Sequence, residues 1–251
     1  MTKLYTDLSW LYDAMYQTFI DYDAEFQFYS KLMAEFGLRS VLEIGCGSGH
    51  LAKRFTEQGY DYQGVDLSED MLALARQRCP NAQVSVGDMR TLVLPRSFDA
   101  VLITARSISY IVENADVLAT FRSLRNCLNP GGKLIFDFID AASFFGQMNA
   151  SAILEHRAEY EGQTYLRQSR YVPNLTHGWT WDWHSAFFRQ TNAQPEPIAD
   201  DVATLRAFLP DELRLFLQLA GLATDEIRSQ KTYAFDTGVV VAYKNARAQQ
   251  T

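Results

Sequence analysis

The 251-residue chain predicts an α/β fold: a mostly parallel sheet with helices on both faces, an antiparallel last strand and an inserted antiparallel β ribbon. Three observations predict it. From Arg39 onward short apolar strand candidates alternate with helical stretches, the rhythm of a parallel sheet covered on both sides. The first of these strands runs into VLEIGCGSGHL at 41–51, where three glycines stand at every second position between a strand and a helix. Over 155–190 that rhythm stops and side chains alternate with period two, as antiparallel strands do.

Taken in order, residues 1–36 are helical and rich in aromatics, and Gly37 supplies the left-handed residue that ends a helix. Strands are expected at 40–45, 61–66, 82–86, 98–104 and 132–139, with helices near 49–58, 69–78 and 114–128, each stopping near Gly, Pro or Asn. Right-handed crossovers place all the strand C-termini on one edge, where ligands bind in such sheets. The ribbon at 155–190 turns near Pro173-Asn174; Trp179, Trp181 and Trp183 share one face, and Thr180, Asp182 and His184 the other. A polar link, TNAQPEPIADD, follows, then a helix near 210–220 stopped by Gly221 and strands near 222–230 and 237–244. The expected organisation is one domain over 1–251, with an aromatic N-terminal cap and the ribbon as a lid.

Composition narrows the function. A hydrophobic share of 47% with 21% charged residues is that of a globular protein. The formal charge of -7 gives no electrostatic reason to bind nucleic acid or an anionic membrane. The start, MTKLYTDLSWLYD, lacks the basic and apolar regions of a signal peptide, and no apolar run reaches membrane-spanning length. Cys46, Cys79 and Cys127 are too far apart for a disulfide framework or a zinc site. The expectation is a cytoplasmic protein with a small-molecule partner and no metal; its oligomeric state is left open.

Four features fall at strand C-termini. The glycine loop offers backbone N–H groups to a polar ligand, with Glu43 in the strand beneath Gly45, Gly47 and Gly49. Asp66 ends the second strand, where a carboxylate can accept from both hydroxyls of a ribose. After the third strand, Asp88 can accept from an adenine amino group while Leu67 and Met89 sandwich the ring. NPGGKL at 129–134 forms a tight turn into the fifth strand. Singly, each has a blander use in packing, turns or caps. In this order and spacing they describe a nucleoside-cofactor site.

The ordered set E-I-G-C-G-S-G at 43–49, Asp66, G-D-M at 87–89 and N-P-G-G at 129–132 resembles the class I S-adenosylmethionine-dependent methyltransferases, whose fold is Rossmann-like. A dinucleotide-binding G-x-G-x-x-G would need glycine at position 50, which is His50. The resemblance implies that the backbone from Gly45 to Gly49, with Cys46, holds the methionine part of S-adenosyl-L-methionine. Asp66 then binds the ribose, Asp88 the adenine amino group, and Leu67 and Met89 the ring, with Glu43, Met71 and Ala105 completing the site. Y-D-A-M-Y at 12–16 resembles the N-terminal helix of small-molecule N-methyltransferases, including those acting on amino sugars. That likeness puts Tyr12 and Tyr16 over the methionine end.

Methyl transfer needs alignment more than a triad. The loop after the fourth strand, with Tyr110, should face the methyl group, and His177 or His184 of the ribbon are candidate bases. Arg106 at this edge opposes a metal; it meets an anionic substrate group or pairs with Asp137 or Asp140. The expected function is methyl transfer to a small molecule, plausibly an amine. The rivals are a dinucleotide-dependent oxidoreductase and a non-catalytic S-adenosylmethionine-binding protein.

Overall fold

Val41, Leu42 and Ile44 on one strand and Ala100 to Ile103 on the next are almost wholly buried, which a strand manages only when both faces of its sheet are covered. The computed structural model, which describes residues 2–231 and 236–244, shows what covers them. The chain begins with α1 (Ser9–Tyr16) and α2 (Tyr22–Glu35) and enters the sheet at β1 (Ser40–Ile44). It continues through α3 (His50–Glu57), β2 (Asp61–Asp66), α4 (Glu69–Arg78), β3 (Gln83–Val86), β4 (Phe98–Ile103), α5 (Asn114–Asn126) and β5 (Leu128–Ile139). After α6 (Ala141–Gln147) come β6 (Leu154–Tyr160), β7 (Gln163–Pro173), β8 (Thr180–Arg189) and β9 (Glu196–Arg206). Helix α7 (Pro210–Leu219), β10 (Leu222–Lys231) and β11 (Asp236–Lys244) close the fold.

The main sheet has seven strands in the order β10-β11-β5-β4-β1-β2-β3. Strands β1 to β5 pair in parallel, and β11 runs antiparallel to both its neighbours. Alternate side chains serve different layers. Leu42, Ile44, Val101 and Ile103 pack with Val117, Phe121 and Leu124 of α5 and Leu213 and Leu217 of α7. Val41, Ala100 and Leu102 pack with Tyr29, Leu32 and Met33 of α2 and Leu51 and Phe55 of α3.

Two expectations are corrected, and the helical N-terminal cap is refined. The N-terminal cap is two helices, because Asp21 caps a new one: its Oδ1 accepts from Asp23 and Ala24 N–H at 3.0 and 2.9 Å. NPGG does not precede the fifth strand but lies inside β5, where Gly131 at φ 79° interrupts the parallel register between Phe98–Leu128 and Ala100–Lys133. The ribbon is larger than expected: β6-β7-β8-β9 form a four-stranded antiparallel sheet. The polar link supplies β9, whose position at the sheet edge tolerates Pro197. Its alternate residues Ala203 and Leu205 are buried beside Trp181.

Period two identified which residues share a face of β8, and packing decides which face turns inward. Trp181 and Phe187 are buried against the rest of the molecule, with Trp183 packed beside them. Trp179 lies just outside the strand, 38% exposed, against Phe145. Asp182 and His184 therefore belong to the face turned away; Asp182 accepts from Asn174 and Thr204 on that side.

Candidate cofactor and active site

The glycine loop is pinned to the sheet before it meets any ligand. Val65 C=O accepts from Gly45 and Cys46 N–H at 2.7 and 3.1 Å. Gly45, Gly47 and Gly49 all have positive φ, at 72°, 53° and 80°, a region that costs other residues about 1–2 kcal/mol. The three are not equivalent. A Cβ on Gly45 would stand 2.5 Å from Ser107 Oγ, and one on Gly49 would stand 2.8 and 2.9 Å from the Cβ and Cα of Ala75. A Cβ on Gly47 would come no closer than 3.4 Å to any atom, the nearest being Met71 Cε. Gly49 is thus required by packing between the loop and α4, while Gly47 keeps its backbone bare toward a cavity.

That cavity, about 440 Å³, opens at the C-terminal edge of β1, β2 and β4 and is lined by Tyr12, Gly45, Gly47, Asp66, Leu67, Met71, Asp88, Met89, Ala105 and Tyr110. An adjoining recess of about 50 Å³ shares Tyr12, Gly45, Gly47 and Ala105 and adds Glu43, Cys46 and Gly49. Tyr16 lies behind these, stacked on Tyr12 at 3.9 Å. His177 and His184 line neither space. His177 is in the loop before β8, with Nδ1 3.0 Å from Glu113, and His184 is on the face of β8 turned away. Neither lines the cavity: the tryptophans claim the inward face of β8, and His177 is held in its loop beside Glu113.

Asp66 is held from both sides. Its Oδ2 accepts from Gly47 N–H at 2.8 Å and its Oδ1 from Ser68 N–H at 2.9 Å, so the carboxylate is fixed with its remaining lone pairs at the cavity. Leu67 beside it is 50% exposed, an apolar side chain with nothing over it. Asp88 is more committed than the sequence suggests. Both its oxygens accept from the Arg90 guanidinium, at 2.6 to 3.0 Å, and Arg90 also bonds Asp116 at 2.8 Å. Any adenine contact by Asp88 shares that carboxylate with Arg90.

Glu43 is buried under the loop, accepting from Tyr62 Oη at 2.6 Å and Thr104 Oγ1 at 3.0 Å. Burial pushes its pKa up to about 7 against those two bonds. Beyond β4 the chain makes two successive left-handed residues, Ala105 at φ 54° and Arg106 at φ 61°, which turn the loop back over the sheet edge. Arg106 is buried, and its backbone N–H donates to Asp137 Oδ1 at 2.8 Å. Burial raises Asp137 to about 6, opposed by the Arg106 charge. Of the two expected partners it is Asp137 that Arg106 meets, through its backbone N–H; Asp140 instead caps α6 through Ser143 N–H at 2.8 Å. No group of three or more His, Cys, Asp or Glu suited to a metal occurs among the described residues.

Two contributors escaped the sequence. Tyr5 meets Tyr110 hydroxyl to hydroxyl at 2.6 Å and packs on Tyr12 at 5.1 Å, giving the cavity a wall of tyrosines. Asp13, the central acid of Y-D-A-M-Y, clamps α1 to the glycine loop. It accepts from Ser48 Oγ at 2.6 Å and Arg78 Nη2 at 2.7 Å and lies 3.0 Å from His50 Nε2. Its place between two tyrosines was the available signal. Burial opposes the charge of Asp13, but the bonds from His50, Ser48 and Arg78 prevail and lower its pKa to about 2.

A depressed carboxylate pKa adds stability above the unfolded-state value near 4 and loses it as pH falls through the folded one. Asp13→Asn should therefore cost about 2 kcal/mol at neutral pH. Its deficit against wild type should shrink between pH 5 and about 2 in denaturant melts. A deficit independent of pH would remove the clamp from the ionised carboxylate.

With this geometry in place, comparison with known proteins is direct. The methyltransferase-domain family matches residues 41–132, from β1 through the glycines of β5. The matched stretch reads as a methyltransferase domain. The chain spans 41–56% of the length of the first curated relatives it matches. One is the dTDP-3-amino-3,4,6-trideoxy-alpha-D-glucopyranose N,N-dimethyltransferase of Streptomyces venezuelae, 38% identical over 98 residues, 39% of this chain and 41% of that one. The dTDP-4-amino-2,3,4,6-tetradeoxy-D-glucose N,N-dimethyltransferase of Saccharopolyspora spinosa matches more of the chain at lower identity, 26% over 192 residues, 74% of this chain and 72% of the relative. Among solved structures, the sugar N-methyltransferase KedS8 of Streptoalloteichus sp. superposes with a TM-score of 0.76 at 25% identity, over 90% of this chain and 88% of its own. The likeness of fold to KedS8 thus extends well beyond the matched stretch.

Proposed function

We propose that the protein transfers the methyl group of S-adenosylmethionine to an amine on a small molecule, with an amino sugar as the acceptor class that its relatives suggest. The observation that carries this is the cavity itself. It joins a bare glycine backbone, a fixed ribose-type carboxylate and an uncovered apolar side chain in one space, and tyrosines wall its far end. These residues fit the cofactor. Asp66 would take the ribose hydroxyls, Leu67 and Met89 the adenine faces, and Gly45 to Gly49 with Tyr12 the methionine end; Asp88 would reach the adenine amino group while holding Arg90.

The cofactor supplies a sulfonium methyl that an amine displaces in line. The chain supplies position and dryness. Tyr5, Tyr12 and Tyr110 close one end of the cavity, and α1, clamped by Asp13, keeps Tyr12 over the glycine loop. Alignment of this kind lowers a barrier by roughly 7–11 kcal/mol. Burial and the neighbouring Tyr16 push the Tyr110 phenol well above its ordinary pKa, so Tyr110 works as a neutral hydrogen-bonding wall and not as a base. The same reading treats 1–251 as one enzyme domain with the second sheet as its lid. It places the protein in the cytoplasm, where three buried free thiols, Cys46, Cys79 and Cys127, stay reduced.

The test is incubation with a metabolite pool and methyl-labelled cofactor, followed by identification of labelled products. A labelled small amine, with amino sugars leading, is the expected product. Label on protein or nucleic acid, and none on a small molecule, would overturn the reading.

A further inference from the structure

Arg167 of β7 is 3% exposed and forms no ion pair among the described residues. In register it stands between His156 on β6 and Phe187 on β8, so all three share the inward face of the second sheet. Its guanidinium lies 5.0 Å from the Trp183 ring and 5.6 Å from the Tyr16 ring. Its one hydrogen bond runs from Nη2 to His156 Nδ1 at 3.2 Å. Among the described residues Nε and Nη1 have no partner, and neither has Nε1 of the adjoining Trp183. Asp201, on the same face of β9 (Ser185↔Asp201), accepts instead from the backbone N–H of Leu4 at 3.0 Å.

A buried cation without a counter-ion is among the most expensive groups a protein can hold. The two rings offset part of that cost through cation–π attraction, but rings satisfy no N–H. Three buried donors in one place, with no acceptor, describe half of a recognition site whose other half is rich in oxygen.

The position indicates which molecule brings it. Trp183 and Tyr110 line one small recess of about 10 Å³, and Tyr110 also lines the large cavity. The charge of Arg167 is felt at both Tyr110 and Tyr171. Arg167 itself lines none of these spaces, and Asp201 shares the small recess with Trp183. It stands against Tyr16, which stacks on Tyr12 of the cavity wall.

Resting on the methyltransferase reading, we infer that Arg167 and Trp183 Nε1 form an anion subsite that recognises a phosphate or carboxylate on the methyl acceptor. An Arg fork pairs with either group through charge-assisted bonds. The subsite makes acceptor choice depend on an anionic group remote from the amine, and leaves cofactor binding to the other side of the tyrosines.

The experiment titrates inorganic phosphate, inorganic pyrophosphate and acetate into the full chain, each with and without saturating S-adenosylhomocysteine, following tryptophan fluorescence and calorimetric heat. At least one anion should bind saturably, and comparison of the phosphates with acetate identifies the preferred class. Arg167→Met should weaken that anion at least tenfold while S-adenosylhomocysteine affinity stays within twofold. Arg167→Lys, which keeps a cation, should fall between, and Trp183→Phe should weaken the anion without loss of the ring; these two carry the test if Arg167→Met unfolds. If no anion binds wild type, or all variants bind it alike, the subsite is wrong and Arg167 is a packing cation. If Arg167→Met loses S-adenosylhomocysteine instead, the anion is the cofactor's own carboxylate. Absence of S-adenosylhomocysteine binding to wild type would count against the methyltransferase reading itself.

Discussion

Asp66→Ala should weaken binding of S-adenosylhomocysteine by roughly tenfold to a hundredfold, the equivalent of about 1.5–3 kcal/mol for hydrogen bonds to a charged group. Two losses combine. The ribose hydroxyls lose an ionised acceptor, and the N–H groups of Gly47 and Ser68, bonded to Asp66 at 2.8 and 2.9 Å, are released on either side of the cavity. Asp66→Asn separates them, since its amide keeps one acceptor oxygen and the shape of the loop. Its loss should be intermediate. Affinity unchanged in the alanine variant would place the ribose elsewhere.

The second large effect falls on stability. Gly49→Ala must carry a side chain at φ 80° and bring its Cβ to 2.8 Å from the Cβ of Ala75. Left-handed strain and overpacking together cost roughly 2–5 kcal/mol, read as a lowered denaturation midpoint. Gly47→Ala is the contrast. Its nearest contact would be Met71 Cε at 3.4 Å, so only the left-handed penalty of about 1–2 kcal/mol applies, while the methyl group projects toward the cavity and should impair cofactor binding. The expected pattern is an unstable Gly49 variant and a folded Gly47 variant with weak cofactor binding. The reverse pattern would contradict the assignment of Gly49 to packing and Gly47 to the ligand.

What the sequence made legible follows from how local the determinants are. The apolar runs at 41–44 and 100–103 declare a sheet covered on both faces, since no solvent-facing strand tolerates them. Gly45 to Gly49, Asp66 and Met89 are readable because each lies next to the strand that positions it. The second sheet was only half visible. Its last strand, β9, is assembled from a polar stretch that lies at an edge and buries only alternate small residues, so its hydrophobic signal is weak.

The parity of β8 was legible but its orientation was not. Alternation groups Trp181 with Trp183 and Asp182 with His184, yet only contact with Phe144, Leu205 and α1 decides which group turns inward. That choice removes His184 from the cavity, and the loop before β8 holds His177 beside Glu113. The Asp13 clamp, the Tyr5–Tyr110 pair and the buried N–H groups of Arg167 join residues from 35 to more than 100 positions apart or rest on tertiary burial. Nothing periodic announces them.

The most direct test of the central claim is calorimetric titration of the wild-type chain with S-adenosylhomocysteine, run beside NAD and NADP under the same conditions. Saturable binding of S-adenosylhomocysteine with no heat from either dinucleotide is the predicted result. Tight binding of NAD or NADP, with S-adenosylhomocysteine silent, would contradict it.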